Sequence, residues 1–253
     1  MSRTAVHNWL ARAPSSPVGH PSRGQAGPVR DGLRALLDLV LPGGCGGCGA
    51  PGPAWCPGCR SLLGSPVRVH PPCCAAGPAV YALGAYRGRL RAALLAYKER
   101  GRRDLACPLG DGLASALLTL LVPSGSGRAR SGGALLPPGS SGVYLVPVPS
   151  RWSAAARRGG QHVALLADRA AATLAGAGVA AAVAPALRMA TGVRDSVGLD
   201  RASRQANLAG RVLLRSAGLP PAGTPVVLVD DVVTTGATAA ACTSALLQVG
   251  VEV

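Results

Sequence analysis

Apolar residues run unbroken over 143–148, 179–184 and 226–229, and each run is short and built mainly from Val, Ala and Leu. Such runs predict strands buried on both faces, as in parallel sheets. Between and after them, 162–175 and 239–247 carry helix-forming residues, so strands alternate with helices. That alternation predicts an α/β fold with an open, mostly parallel sheet flanked by helices. The last residues, 249–253, look like one more strand beginning. Upstream, 90–97 and 108–121 read as helices, and 33–41 as an apolar helix ahead of a cysteine-rich stretch.

The pattern changes at several places along the chain. Residues 1–32 are expected to form a disordered extension. They lack the continuous apolar run of a signal peptide. Being Arg-rich and almost acid-free, they also match a transit peptide or a start codon placed too early. Residues 33–79 hold six of the eight cysteines and read as a small metal-binding subdomain, and 80–253 as the α/β domain. Within the latter, 123–142 is rich in Gly, Ser and Pro without periodicity, which predicts a flexible insertion. Residues 170–187 carry no charge but are Ala-rich and broken by Gly176, Gly178 and Pro185. A helix, a turn and a strand are expected there, with no membrane span.

Composition limits the core. Hydrophobic residues make up 48%, yet aromatics are 3% and Phe is absent. A core of Ala, Val and Leu buries little area per residue, so modest stability, or a partner such as a second copy of the chain, is expected. The net charge is +15, and Lys98 is the single lysine among 26 basic residues. A surface this basic attracts nucleotides, phosphates and nucleic acid without choosing among them.

The cysteines add chemistry. Cys45 and Cys48 form one C-x2-C pair, and Cys56 and Cys59 a second after seven residues. Two such knuckles with Gly and Pro at their turns offer four thiolates to a tetrahedral Zn2+, in the manner of a double zinc ribbon. Reduced thiols or a disulfide pair are the plainer alternatives. Cys73 and Cys74 are adjacent and stay unassigned. Cys107 and Cys242 sit in apolar stretches as small buried residues. Paired thiols without a secretion signal suit a reducing compartment, the cytoplasm.

The most informative run is 225–238, PVVLVDDVVTTGAT. A buried strand ends in Asp230 and Asp231. A turn with Thr234, Thr235, Gly236, Ala237 and Thr238 then opens a helix. Ligands of open parallel sheets sit beyond the carboxyl ends of the strands. Backbone N–H groups and hydroxyls at a helix N-terminus suit a phosphate, and two acids beside it suit sugar hydroxyls or a shared Mg2+. Capping a helix requires one acid or hydroxyl, fewer than this run supplies. An ATPase needs a G-x4-G-K-[ST] loop, and the lone Lys98 lies in YKERG, so that reading is excluded.

VVLVDDVVTTGAT resembles the phosphoribosyl-pyrophosphate (PRPP) loop of type I phosphoribosyltransferases. With LLDLVLP and its knuckle, AYRGRLRAALLAYKERGRRDLACPLG, VPVPSRWSAAARRGGQ and RDSVGLDRASRQANLAGR, the chain from about Leu36 onward is similar to the ComF competence-protein branch of that superfamily. The resemblance implies a type I phosphoribosyltransferase fold. It implies that Asp230 and Asp231 hold the ribose hydroxyls and that Thr234–Thr238 cradle the 5′-phosphate. Pro149, Ser150 and Arg151 match the pyrophosphate loop, where a solvated Arg151 is the plainer alternative. Arg194, Arg204 and Asn207 match the flexible hood, or equally a solvated basic helix. Lys98 matches the YKxxG signature and is expected to meet an anion or a carboxylate. His162 stands where the family's RRGFNQ pattern has its final Gln, with Gly160 and Gln161 also departing from it.

The implied activity is PRPP binding with Mg2+ and transfer of the phosphoribosyl group to an acceptor the sequence does not name; no residue presents itself as a general base. The alternative is a non-catalytic accessory of DNA uptake acting on single-stranded DNA with a helicase-like partner. The scarcity of aromatics argues against base stacking there.

Overall fold

A computed structural model describes residues 44–122, 142–149, 161–190 and 211–253. From the cysteine knuckles onward the elements are α1 (Pro57–Arg60), β1 (Val67–Val69), β2 (Val80–Ala82), α2 (Gly88–Glu99), α3 (Ala106–Leu121), β3 (Gly142–Pro147), α4 (His162–Gly176), β4 (Ala180–Val183), β5 (Leu187–Met189), β6 (Val212–Leu214), β7 (Val226–Val229) and α5 (Ala237–Leu247). Short 3-10 turns lie at Pro72–Cys74, Arg103–Leu105 and Ser216–Gly218.

The three apolar runs form a parallel sheet in the order β4-β3-β7, so the chain is mixed α/β, as expected. β3 sits in the middle and is buried along its whole length. Its alternate side chains serve two cores, because successive residues of a strand face opposite ways. Val143 and Leu145 pack with Leu117 and Leu121 of α3 and Val163, Ala167, Ala170 and Leu174 of α4. Tyr144, Val146 and Val148 pack with Ala241, Cys242, Ala245 and Leu246 of α5. Helices therefore cover both faces, which is why these strands carry no polar side. Burying Leu145, Leu174 and Leu246 completely contributes about 1.5–3 kcal/mol each.

Residues 170–187 end α4, turn and form β4, as their Gly and Pro predict. By length and composition alone Arg103–Leu121 could cross a membrane; here its Leu117 and Leu121 lie within the core between α3, α4 and the sheet. Two antiparallel pairs, β1–β2 and β5–β6, complete the described strands.

Two expectations are corrected. Cys107 is exposed, whereas Cys242 is buried as expected. Residues 251–253 form no strand. The N–H groups of Val249 and Val251 both donate to the Leu246 carbonyl, 3.1 Å in each case. They close α5 instead of pairing with a neighbour, and Val251 turns into the core. The predicted helix 33–41, the extension and the 123–141 part of the insertion lie outside the described residues.

A third core joins the cysteine segment to the α/β body. Cys45, Trp55 and Cys59 pack on Leu90, Ala93, Ala96 and Tyr97 of α2, together with Leu105, Leu109 and Leu166. This packing fixes α2, and α2 ends at the edge of the sheet where the acids lie.

Candidate functional site: a cysteine cluster and the β7–α5 loop

The Sγ atoms of Cys45, Cys48, Cys56 and Cys59 lie within 4.8 Å of one another. Tetrahedral Zn2+ with bonds of about 2.3 Å places its sulfurs roughly 3.8 Å apart, so the cradle fits. Cys48 Sγ and Cys56 Sγ are 3.6 Å apart and all four cysteines are unbridged. The four-cysteine set could therefore bind a metal ion such as zinc. Gly47 is required by close approach, because a Cβ there would lie 2.9 Å from Cys59 Sγ and 3.1 Å from the Arg89 carbonyl.

The thiols respond to one another. Burial raises Cys45, but the backbone N–H groups of Cys56, Cys48 and Gly47 and the Cys56 side chain outweigh it and bring the thiol to about 6. Burial first, then hydrogen bonds from the other three cysteines, pushes Cys59 up to about 12.

The second site is at the carboxyl end of β7. Asp231 Oδ2 receives Lys98 Nζ at 2.8 Å and His162 Nε2–H at 2.9 Å. Lys98 comes from the last turn of α2 and His162 is the first residue of α4, so three elements meet at one carboxylate oxygen. The Asp231 and His162 side chains are only 6% and 8% exposed. The Tyr97 hydroxyl donates to the His162 backbone carbonyl at 2.7 Å, and its ring meets the imidazole edge-on. The expectation that Lys98 meets a carboxylate holds. His162 is the residue that sequence reasoning passed over. Its one signal was its place at a helix start, at the last position of the stretch compared with RRGFNQ.

The two acids are unequal. Burial raises Asp231, yet the hydrogen bonds from His162 and Lys98 outweigh it and hold the carboxyl well below the usual carboxylate range. Asp230 lacks such partners. Burial, then the charge of Asp231, pushes it from 3.8 to about 7. Its Oδ1 accepts the Asp231 backbone N–H at 2.8 Å. The folded state thus holds the Asp230 proton more tightly than the unfolded chain does. That contribution to stability is complete below about pH 4 and disappears as pH rises through about 7. Asp230→Asn, which stays neutral, is therefore expected to raise the thermal midpoint relative to the native protein at pH 8 and to leave it nearly unchanged at pH 4. Equal midpoints at pH 8 would show that Asp230 ionises without penalty.

Beyond the acids, Thr234 is exposed and Thr235 half-buried. Thr235 Oγ1 accepts the Ala237 N–H at 3.4 Å. Gly236 caps α5 at φ 78°, ψ 6°, in the left-handed region that glycine enters without strain. It brings no side-chain oxygen to the first turn of α5. Beyond the long Thr235 bond to the Ala237 N–H, the cap residue supplies nothing to the positive end of the helix, a setting that favours an anion.

The 3-10 turn Pro72–Cys74 lies directly against this loop. The Cys73 N–H donates to the Thr235 carbonyl at 2.9 Å, and the Cys74 thiol donates to the Gly236 carbonyl at 3.4 Å. No local pattern announced this contact, which joins segments about 160 residues apart.

The structure brings Asp230, Asp231, Thr234, Thr235, Gly236, Ala237 and Thr238 into one strand–loop–helix junction. Ser150, Arg151, Arg194, Arg204 and Asn207 lie outside the described residues. Compared with protein-family models, curated proteins and solved structures, the chain matches none of them.

Proposed function

We propose that the β7–α5 loop binds a phosphoribosyl ligand, PRPP with Mg2+, and that the chain is a ComF-like protein of the type I phosphoribosyltransferase superfamily. One observation carries this reading. An acidic pair closes the strand at the sheet's carboxyl edge, and after two valines come the exposed Thr234, the half-buried Thr235 and a helix whose cap residue is glycine. A helix N-terminus alone would take any anion. The acids add acceptors for the hydroxyls of a sugar.

On this reading the residues divide the work. Thr234–Thr238 cradle the 5′-phosphate. Asp230 and the Oδ1 oxygen of Asp231 accept ribose hydroxyls, while Asp231 Oδ2 stays with Lys98 and His162. By the family resemblance, Ser150 and Arg151 are assigned to the pyrophosphate and Arg194, Arg204 and Asn207 to the hood. Mg2+ supplies charge neutralisation at the pyrophosphate. Where transfer follows, the protein acts by position and charge, favouring departure of pyrophosphate from C1′. The cysteine cluster holds structural Zn2+ and steadies α2, which presents Lys98. The net charge of +15 supports a second reading, single-stranded DNA handled with a helicase-like partner. Salt-sensitive DNA binding without any response to PRPP would select it.

Ligand-induced thermal shifts separate a built site from a basic surface. Stabilisation should fall in the order PRPP with Mg2+, ribose 5-phosphate, 2-deoxyribose 5-phosphate, inorganic phosphate, because each step removes groups the acids or the loop would hold. Equal shifts from all four would indicate anion attraction alone.

A further inference from the structure

Cys73 and Cys74 form a dithiol seated on the backbone of the ligand loop. Both are unbridged and half-exposed. The seat is close. A Cβ at Gly236 would lie 2.5 Å from Cys74 Sγ and 2.9 Å from Pro71 Cβ, so sulfur and proline occupy the space a side chain would need. The loop is held there by two bonds, Cys73 N–H to the Thr235 carbonyl and Cys74 S–H to the Gly236 carbonyl. The second bond requires a protonated sulfur. Burial, then the charge of Cys73, raises the Cys74 thiol above its ordinary range, which keeps that proton in place.

We propose that Cys73 and Cys74 are a site of reversible thiol oxidation that controls the β7–α5 loop. Reduced, the pair anchors Thr235 and Gly236; oxidised to a Cys73–Cys74 disulfide, it loses the bond to Gly236, loosens the loop and weakens ligand binding. The oxidant is a low-molecular-weight disulfide. The thiolate of one cysteine attacks it, breaking its S–S bond and releasing one small thiol. The second cysteine then attacks the mixed disulfide and releases the other. Two cysteine protons end on the two released thiols, and a new S–S bond joins Cys73 to Cys74. Cys74 then has no S–H to donate, and its sulfur must turn from Gly236 to reach Cys73.

Adjacency makes the switch reversible. Neighbouring Cα atoms are about 3.8 Å apart across a trans peptide, shorter than the roughly 4.4–6.8 Å usual for disulfides. The bond is strained, and strained disulfides are the readily reduced, regulatory ones. The effect on ligand rests on the phosphoribosyl reading of the loop, whereas the loosening of the loop does not.

The test uses the full zinc-loaded chain, reduced and then treated with oxidised glutathione. Peptide mass spectrometry reads the 71–79 segment, amide hydrogen exchange reads 230–240, and calorimetry reads PRPP with Mg2+. The expected result is a segment lighter by two hydrogens, faster exchange at 235–237, and PRPP affinity weaker by about tenfold, the scale of one lost anchoring hydrogen bond. A dithiol reductant should restore all three. Cys73→Ser/Cys74→Ser, which keeps a hydroxyl donor beside Gly236, should bind PRPP and ignore the oxidant, as should the single Cys73→Ser variant once small-thiol adducts are removed. A segment that stays a dithiol, unchanged exchange after the disulfide forms, or an equal response in the serine variants would overturn the proposal. If the reduced protein does not bind PRPP, the phosphoribosyl reading fails, and hydrogen exchange alone decides whether the dithiol controls the loop.

Discussion

Cys59→Ser is expected to abolish metal binding at the four-cysteine cluster and to loosen the packed face of α2 together. Cys59 is fully buried, and its neighbours Cys45 and Trp55 share a core with Leu90, Ala93, Ala96 and Tyr97. A serine oxygen is a poor fourth ligand for Zn2+ among thiolates. It also leaves a polar group in a site built for sulfur. Binding of structural zinc is worth about 10–16 kcal/mol in small metal-dependent folds at neutral pH. That is comparable with the whole stability of an ordinary domain, about 5–15 kcal/mol. The cysteine segment should therefore come apart while the parallel sheet, whose cores lie elsewhere, persists. Elemental analysis should fall from one zinc per chain to nearly none. Hydrogen exchange should accelerate in 44–63 and across α2 but not in β3. Full metal content would show that Cys59 is not a required ligand, and lost metal with unchanged protection of α2 that the cluster does not support the helix. Chelation of the native protein should reproduce the variant.

The second large effect belongs to Lys98→Met. The Asp231 carboxylate is almost wholly buried and shares one oxygen with Lys98 and His162. Removing the ammonium leaves a buried charge with His162 as its remaining partner. Breaking a fully buried pair costs about 3–5 kcal/mol. Lys98 is 33% exposed, so water replaces part of what it gives, and about 2 kcal/mol is the expected loss. For a chain of this length that lowers the thermal midpoint by roughly 4–8 °C. The sign with pH follows from the depressed Asp231 carboxyl. Its stabilisation is present above the ordinary carboxylate range and is lost as pH falls through its folded value. The penalty should therefore be full at pH 7 and shrink as the medium approaches that lower range. Lys98→Met/Asp231→Asn should recover much of the loss, because the neutral amide no longer needs the cation. A native midpoint in Lys98→Met at pH 7 would show the ion pair to be dispensable.

How far the sequence reveals this arrangement depends on how local each signal is. The strands of the parallel sheet were readable because burial on both faces strips them of polar residues. Their helices ended close to where Gly and Pro permit. β5 and β6 were not readable. Each has three residues, and their pairing joins Leu187–Met189 to Val212–Leu214 across a long intervening segment. The final VEV has the alternation of a strand, but the Val251 N–H is drawn into closing α5. At the site, Asp230 through Thr238 are contiguous and carried their own chemistry. Lys98 could be singled out by scarcity, though not matched to Asp231. His162 and the Cys73–Cys74 turn reach the loop from distant segments, and only tertiary packing brings them there.

Titration calorimetry of the zinc-loaded chain with PRPP, with and without Mg2+, and of the Asp230→Asn/Asp231→Asn variant, tests the phosphoribosyl site most directly. Saturable, Mg2+-dependent binding of one PRPP per chain, lost in the double variant, is the expected result. No heat from the native protein, or equal binding by the variant, would contradict a phosphoribosyl site at the β7–α5 loop.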